Sequence, residues 1–256
     1  MYKHLSEAYI CFKETYIKTF EQILQKISPY TMVNHNKLKV IYNYIMKNKL
    51  DGDIVECGVW EGGSCMLMAY TLMNNNIYSK NIWLYDTFEG LPHPSSDKDD
   101  IKAKNYWNDI NSRKIDKGSR GGTIINNEVK WNYAPLDNVQ NNMNSTNYPK
   151  KYIKYVKGKV EDTLNINTNI PKKISILRLD TDWYDSTKKE LDILYPLVVS
   201  GGLIQIDDYC TWKGSKTATD EWLKTHKEEV YAIDENFNKI NIEKVSNNIC
   251  LTLIKK

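Results

Sequence analysis

Residues 174–212 read ISILRLDTDWYDSTKKELDILYPLVVSGGLIQIDDYCTW. Two apolar runs each end in aspartates: Asp180 and Asp182 close the first, Asp207 and Asp208 the second. Strands that run apolar and stop in carboxylates suit the carboxyl edge of an α/β sheet, where ligands bind. Carboxylates held together repel, which favours a hard cation or a raised pKa. The stretch points to a metal-assisted enzyme rather than a plain binding module.

Upstream, Asp53 to Cys57 reads as a short buried strand, GVWEGGS as a glycine-rich turn, and Ser64 to Met73 as an apolar helix. Ile82 to Tyr85 is a second strand, ending in Asp86. This order is a βαβ unit, the first half of a doubly wound sheet. Glu56, Gly58, Gly62, Gly63 and Ser64 form one candidate site, because glycines permit close backbone approach and a helix N-terminus offers free N–H groups. The pattern is neither the dinucleotide fingerprint nor a P-loop. Glu56 would repel a pyrophosphate and suit a cationic ligand; a plain tight turn explains the glycines equally well. Asp86 is placed to accept hydrogen bonds from ribose hydroxyls. Together these positions read as a site for a nucleoside cofactor without an obligatory pyrophosphate.

If the two aspartate-ended strands are neighbours, their ends lie about 5 Å apart and Asp180 and Asp207 can share one ion, with Asp208 beside them. Oxygen-only ligands favour Mg²⁺, Mn²⁺ or Ca²⁺ over Zn²⁺. The competing explanation, helix capping, takes Asp185 and is open for Asp182. Thr187-x-x-Glu190 has the capping-box spacing for the helix that follows. No G-x-S-x-G elbow is present. Of His4, His35, His93 and His226, only His93 falls near the site, on a surface loop.

Leu5, Tyr9, Phe12, Tyr16, Phe20, Leu24 and Ile27 recur at helical spacing and predict an amphipathic helix over 3–27, stopped by Pro29. Its aromatic stripe is packing surface, either for the domain or for a second copy in a dimer or tetramer. A second helix is expected over 36–48. Between Leu91 and Trp131 no periodicity survives, and so long a loop suits a lid, a binding loop or a disordered segment, with 92–132 read as a lid or acceptor loop. A short helix around Leu136, Val139 and Met143 follows, then a strand over Tyr152 to Val156. Further strands are expected at Ile174 to Leu179 and Gly202 to Ile206, then a helix over 215–227. VYAID and NICLTLI close the chain as two antiparallel strands. The expected organisation is one domain over 1–256, with residues 1–50 as an N-terminal helical cap.

Net charge is +3 and the lysines are scattered, which argues against nucleic-acid binding. No apolar run approaches the roughly 18 residues of a membrane span, and the N-terminus lacks a secretory core. The five cysteines form no CxxC pair. Free thiols in the cytoplasm are the expected state.

DIVECGVWEGGS (53–64), LYDTFEGLP (84–92), LRLDTDWYDSTKKELDILYP (177–196) and GGLIQIDDYCTWKG (201–214) resemble the macrocin and mycinamicin O-methyltransferase family. The likeness runs in order over roughly residues 29–225. Those enzymes methylate sugar hydroxyls. The resemblance implies a class I S-adenosylmethionine-dependent methyltransferase: an α/β Rossmann-like fold with a seven-stranded, mostly parallel sheet, its last strand antiparallel, helices on both faces and extra N-terminal helices. It also implies a divalent ion, Mg²⁺ or Mn²⁺. Residues Glu56, Gly58, Val59, Trp60, Gly62 and Ser64 would surround the methionine and sulfonium. Asp86 would hold the ribose, with Thr87 and Phe88 near the adenosine and Val160, Glu161 and Asp162 bordering the adenine. Thr31, Met32 and Val33 would close over cofactor and acceptor. Asp180, Asp207 and Asp208 fall on the metal ligands, and Asp180 also borders the cofactor.

The expected reaction is in-line methyl transfer to a hydroxyl of a sugar, glycoside or nucleotide-sugar, with Asp180 or, alternatively, Asp182 as the base. A phenol, catechol or other polar metabolite is the alternative acceptor. A nicotinamide-dependent oxidoreductase is the more distant alternative.

Overall fold

The computed structural model describes residues 19–49, 51–112, 122–245 and 250–256. Its parallel strands are β1 (Asp53–Cys57), β2 (Ile82–Asp86), β5 (Ile153–Lys157), β6 (Ile174–Leu179) and β7 (Val198–Ile206), and each of them, the edge strand β5 included, carries buried apolar residues on both faces. Strands of this kind belong to a parallel sheet covered by helices on both sides. The sheet order is β5-β2-β1-β6-β7-β10-β8-β9, with β8 at Val230–Ile233, β9 at Lys239–Ile240 and β10 at Leu251–Lys255. The first five strands are parallel. β10 inserts antiparallel between β7 and β8. These are the seven strands expected from the resemblance; the two-residue β9 adds an antiparallel edge.

Alternation along the strands divides the core. Ile54, Ile176 and Leu203 face α1 (Phe20–Ile27), α2 (His35–Lys47), α3 (Gly63–Asn74) and α5 (Leu136–Ser145). Val55, Leu177 and Ile204 face the opposite layer, which includes Leu191 and Leu194 of α7 (Tyr184–Leu194) and Trp222 and Leu223 of α8 (Lys213–His226). Among the described residues no helix is long and apolar enough to cross a membrane.

Several elements differ from expectation. α1 is described from Phe20, where Thr19 and Gln22 form a reciprocal capping box. The remainder of the predicted 3–27 helix, and with it most of the aromatic stripe, lies outside the described residues. α7 begins at Tyr184, so Thr187 and Glu190 lie inside the helix and do not cap it. Trp183 occupies the N-cap position but its side chain does not cap the helix, and the Tyr184 N–H donates instead to Asp99 Oδ1 at 2.9 Å. Asp185 sits in the first turn, and Asp182 is a left-handed residue (φ 67°) whose N–H donates to Asp208. Neither is the cap.

The stretch expected as an unpatterned lid contains α4 (Ile101–Asn111) and a hairpin of β3 (Gly122–Ile125) and β4 (Glu128–Trp131). Their apolar residues are shared with distant segments, which is why local periodicity missed them. Ala103, Ile110, Val129 and Trp131 pack with Trp183, and Trp107 and Trp212 join the same cluster. The Trp183 indole N–H also donates to the Pro92 carbonyl at 2.8 Å.

Candidate active site

The carboxyl ends of β1, β6 and β7 are stitched side by side. The Asp180 N–H donates to the Cys57 carbonyl at 2.8 Å and the Asp207 N–H to the Leu179 carbonyl at 2.9 Å. Gly58 makes this approach possible: it is left-handed (φ 80°), and a Cβ there would lie 1.8 Å from the Asp180 carbonyl oxygen. Gly63 admits the N-terminal cap, since its Cβ would lie 2.5 Å from the Tyr30 carbonyl oxygen. At these two positions the close neighbour is therefore the protein's own backbone rather than a ligand.

One cavity opens at this edge. Its wall includes Thr31, Met32, Val33, Glu56, Gly58, Val59, Trp60, Ser64, Asp86, Thr87, Val160 and Glu161. Asp180, Asp182 and Asp207 line it as well. Four expected residues are not in the wall: Gly62, Phe88, Asp162 and Asp208. Gly62 is buried at the N-cap of α3, Phe88 is buried in the core, and Asp162 is exposed on the outside. Asp208 lies behind the wall but shares the acid cluster: one carboxylate oxygen each from Asp180, Asp207 and Asp208 come within 4.8 Å of one another.

Asp86 is already engaged. Its Oδ2 accepts from the Val59 N–H at 2.7 Å and the Trp60 N–H at 3.2 Å, and its Oδ1 from the Phe88 N–H at 2.7 Å. It thus pins the glycine turn to the end of β2 while facing the cavity. Burial raises its pKa, and the backbone donors work against that rise.

The residue that sequence reasoning missed is Arg178. Its side chain is wholly buried. Nη1 lies 2.8 Å from Glu56 Oε1 and 2.7 Å from Asp180 Oδ2, and Nη2 lies 2.7 Å from Asp207 Oδ1. Lys37 of α2 reaches Asp207 Oδ2 at 2.8 Å. The signal was present as a row of polar letters in buried strands: Glu56 is in register with Arg178, and Arg178 with Gln205. All three are 0% exposed. Ser64 Oγ and Cys65 Sγ also donate to Glu56.

The local charge is unbalanced. Among the described residues, Arg178 and Lys37 supply the ion pairs to Glu56, Asp180 and Asp207, and Asp182 and Asp208 adjoin the same cluster: five acids beside two paired cations, a surplus of three when all are ionised. Burial and the surrounding carboxylates push Asp180 up to about 6 despite Arg178. Burial and the neighbouring Asp180 raise Asp182, and burial with Asp182 raises Asp208. An all-oxygen donor set with surplus negative charge fits a hard divalent cation. For a cofactor, the fit rests on a wall that combines the pinned glycine turn with Glu161. Asn132 Oδ1, in the same wall, is buried without a hydrogen-bond partner.

A mostly parallel α/β sheet with β10 reversed between β7 and β8, and a cavity at its carboxyl edge between a glycine turn and an aspartate cluster, define a methyltransferase of the class I type. The chain belongs to the macrocin O-methyltransferase (TylF) family, whose model matches residues 26–245. It is 30% identical over 196 residues to a demethyldecarbamoylnovobiocin O-methyltransferase of Streptomyces niveus, covering 75% of this chain and 67% of the relative. It is 27% identical over 175 residues to an 8-demethyl-8-(2,3-dimethoxy-α-L-rhamnosyl)-tetracenomycin-C 4'-O-methyltransferase of Streptomyces olivaceus. That match covers 68% of this chain and 59% of the relative. The solved structure of the O-methyltransferase NovP shares the fold, with a TM-score of 0.68 at 23% identity over 89% of this chain and 82% of that one. Family membership decides for methyl transfer over nicotinamide chemistry.

Proposed function

We propose that this chain transfers a methyl group from S-adenosylmethionine to a hydroxyl of a sugar-bearing small molecule, assisted by Mg²⁺ or Mn²⁺. The observation that carries the reading is the single cavity walled by Glu56, Ser64, Asp86 and Glu161 and also by Asp180, Asp182 and Asp207. Donor and acceptor sites are thereby contiguous, as in-line transfer requires. The rhamnosyl group in the name of the Streptomyces olivaceus relative supports a sugar as the acceptor class.

Glu56, Gly58 and Ser64 would border the methionine end of the donor, while Thr31, Met32 and Val33 would cover it. Asp86 holds the turn formed by Val59 and Trp60, and Val160 and Glu161 would border the base. Asp180, Asp207 and Asp208 would hold the cation. When bound, the donor supplies an electrophilic methyl on a sulfonium and the cation supplies Lewis acidity that lowers a hydroxyl pKa. Asp180 and Asp182 stand at the cavity wall, where either carboxylate could take the hydroxyl proton. Asp180 is the first choice as base. Trp183, Leu91 and Pro92 form the wall on the acceptor side and exclude water there.

The test is methyl transfer with Mg²⁺ against nucleotide-sugars, free glycosides and phenols, read by product mass. A gain of one methyl on a sugar-bearing acceptor supports the reading. Methylation confined to phenols contradicts the acceptor class.

A further inference from the structure

We propose that Arg178 is a positioning residue that couples the methyl-donor half of the cavity to the cation half, an inference that rests on the function proposed above. Among the described residues, the guanidinium ion-pairs with carboxylates of both halves. Nη1 is shared between Glu56, on the donor side, and Asp180; Nη2 holds Asp207.

A buried guanidinium carries a desolvation cost of several kcal/mol, which only well-placed partners offset. Three carboxylates within 2.8 Å provide that here. They also fix the rotamers of two candidate cation ligands before any ion arrives. Lysine cannot substitute: its charge sits on one nitrogen, whereas the planar guanidinium presents separate donors in a rigid fork.

The shared Nη1 gives the coupling its sign. A cation on Asp180 and Asp207 draws their charge away from Arg178. The guanidinium then commits to Glu56, which already accepts from Ser64 and Cys65. Glu56 is thereby held in one orientation in the donor wall, and the donor site is ordered before it fills. Each ligand therefore tightens the other, by the same factor in both directions.

The experiment is calorimetric titration of S-adenosylhomocysteine with and without saturating Mn²⁺, on wild type, Arg178→Lys, Glu56→Gln and Lys37→Met. Wild type should bind about fivefold or more tightly with Mn²⁺, the lower range of such couplings. Arg178→Lys should bring that ratio to about one. Glu56→Gln severs the link from its other end with Arg178 in place, and should do the same even if Arg178→Lys does not fold. Lys37→Met, which removes a contact to Asp207 alone, should shift Mn²⁺ affinity and keep the ratio.

A wild type that binds the nucleoside equally well with and without Mn²⁺ overturns the coupling and leaves the methyl-transfer reading standing. So does a ratio that survives in Arg178→Lys or Glu56→Gln, or one that is lost in Lys37→Met. A wild type that binds no S-adenosylhomocysteine overturns both.

Discussion

Glu56 and Arg178 face each other in register on neighbouring strands, and the arginine Nη1 reaches the glutamate Oε1 at 2.8 Å inside the sheet. The pair lies two residues below Gly58 and Asp180, where β1 and β6 end, so the charged row and the cavity rim share one face. The site is consequently built on the rigid centre of the sheet, and its acids respond to one another.

That mutual dependence has a pH consequence. Asp180, Asp182 and Asp208 have raised pKa values in the cation-free fold, so the folded chain holds more protons than the unfolded one. Stability contributed by those protons is present at low pH and lost as pH rises through the folded values, about 6 for Asp180 and about 8 for Asp182. In EDTA, Tm should be lower at pH 8.5 than at pH 6. Mn²⁺ should raise Tm more at pH 8.5. Glu190, buried and also raised, contributes to the first effect but not to the recovery. A Mn²⁺ effect that is equal at both pH values contradicts this account.

Asp86→Ala should damage two things at once. The carboxylate accepts from three backbone N–H groups, two of them, Val59 and Trp60, in the glycine turn and the third, Phe88, just past β2. Hydrogen bonds to a charged group contribute about 1.5–3 kcal/mol. Tm should fall, and S-adenosylhomocysteine should bind more weakly by calorimetry. Weaker binding with unchanged Tm would mean that Asp86 serves the ligand alone.

Gly58→Ala should be among the most damaging small substitutions. The added methyl would meet the Asp180 carbonyl oxygen at 1.8 Å, in a left-handed backbone. Overpacking of this kind typically costs up to about 3 kcal/mol, occasionally more, before backbone strain is added. Denaturant unfolding measures the loss. A cost below about 1 kcal/mol would show that the strand ends separate easily.

Asp99→Ala tests whether the 92–132 segment is anchored through α7. Asp99 Oδ1 accepts from the Tyr184 N–H at 2.9 Å, in place of a local cap, and Gly214 leaves room for the carboxylate. Loss of such a cap costs roughly 0.5–2 kcal/mol. Proteolysis between 92 and 132 should accelerate as well. An unchanged cleavage rate would place the anchor in the tryptophan cluster instead.

The sequence makes the strand–glycine turn–helix–strand unit legible because its apolar runs are local and uninterrupted. It also marks Asp180, Asp207 and Asp208, since each ends such a run. Arg178 was passed over because one polar letter within ISILRL looks like an interruption. Its partner Glu56 lies 122 residues away and Asp207 lies 29 away. Lys37, 170 residues from Asp207, looks like one more surface lysine on a helix. α4 and the hairpin were hidden for a related reason. Their core is completed by Trp183 and Trp212, which belong to the ends of other elements. Position and resemblance both point Asp86 at a ribose, and its engagement with Val59, Trp60 and Phe88 emerges only from the folded turn.

The central claim is that nucleoside and cation occupy one cavity on either side of Arg178. Anomalous diffraction from crystals grown with Mn²⁺ and S-adenosylhomocysteine tests it most directly. A manganese peak within coordination distance of Asp180, Asp207 and Asp208, with nucleoside density along Glu56 and Asp86, is the result predicted. Nucleoside density in the cavity with no manganese peak, and Arg178 and Lys37 still closed on Asp207, would contradict it.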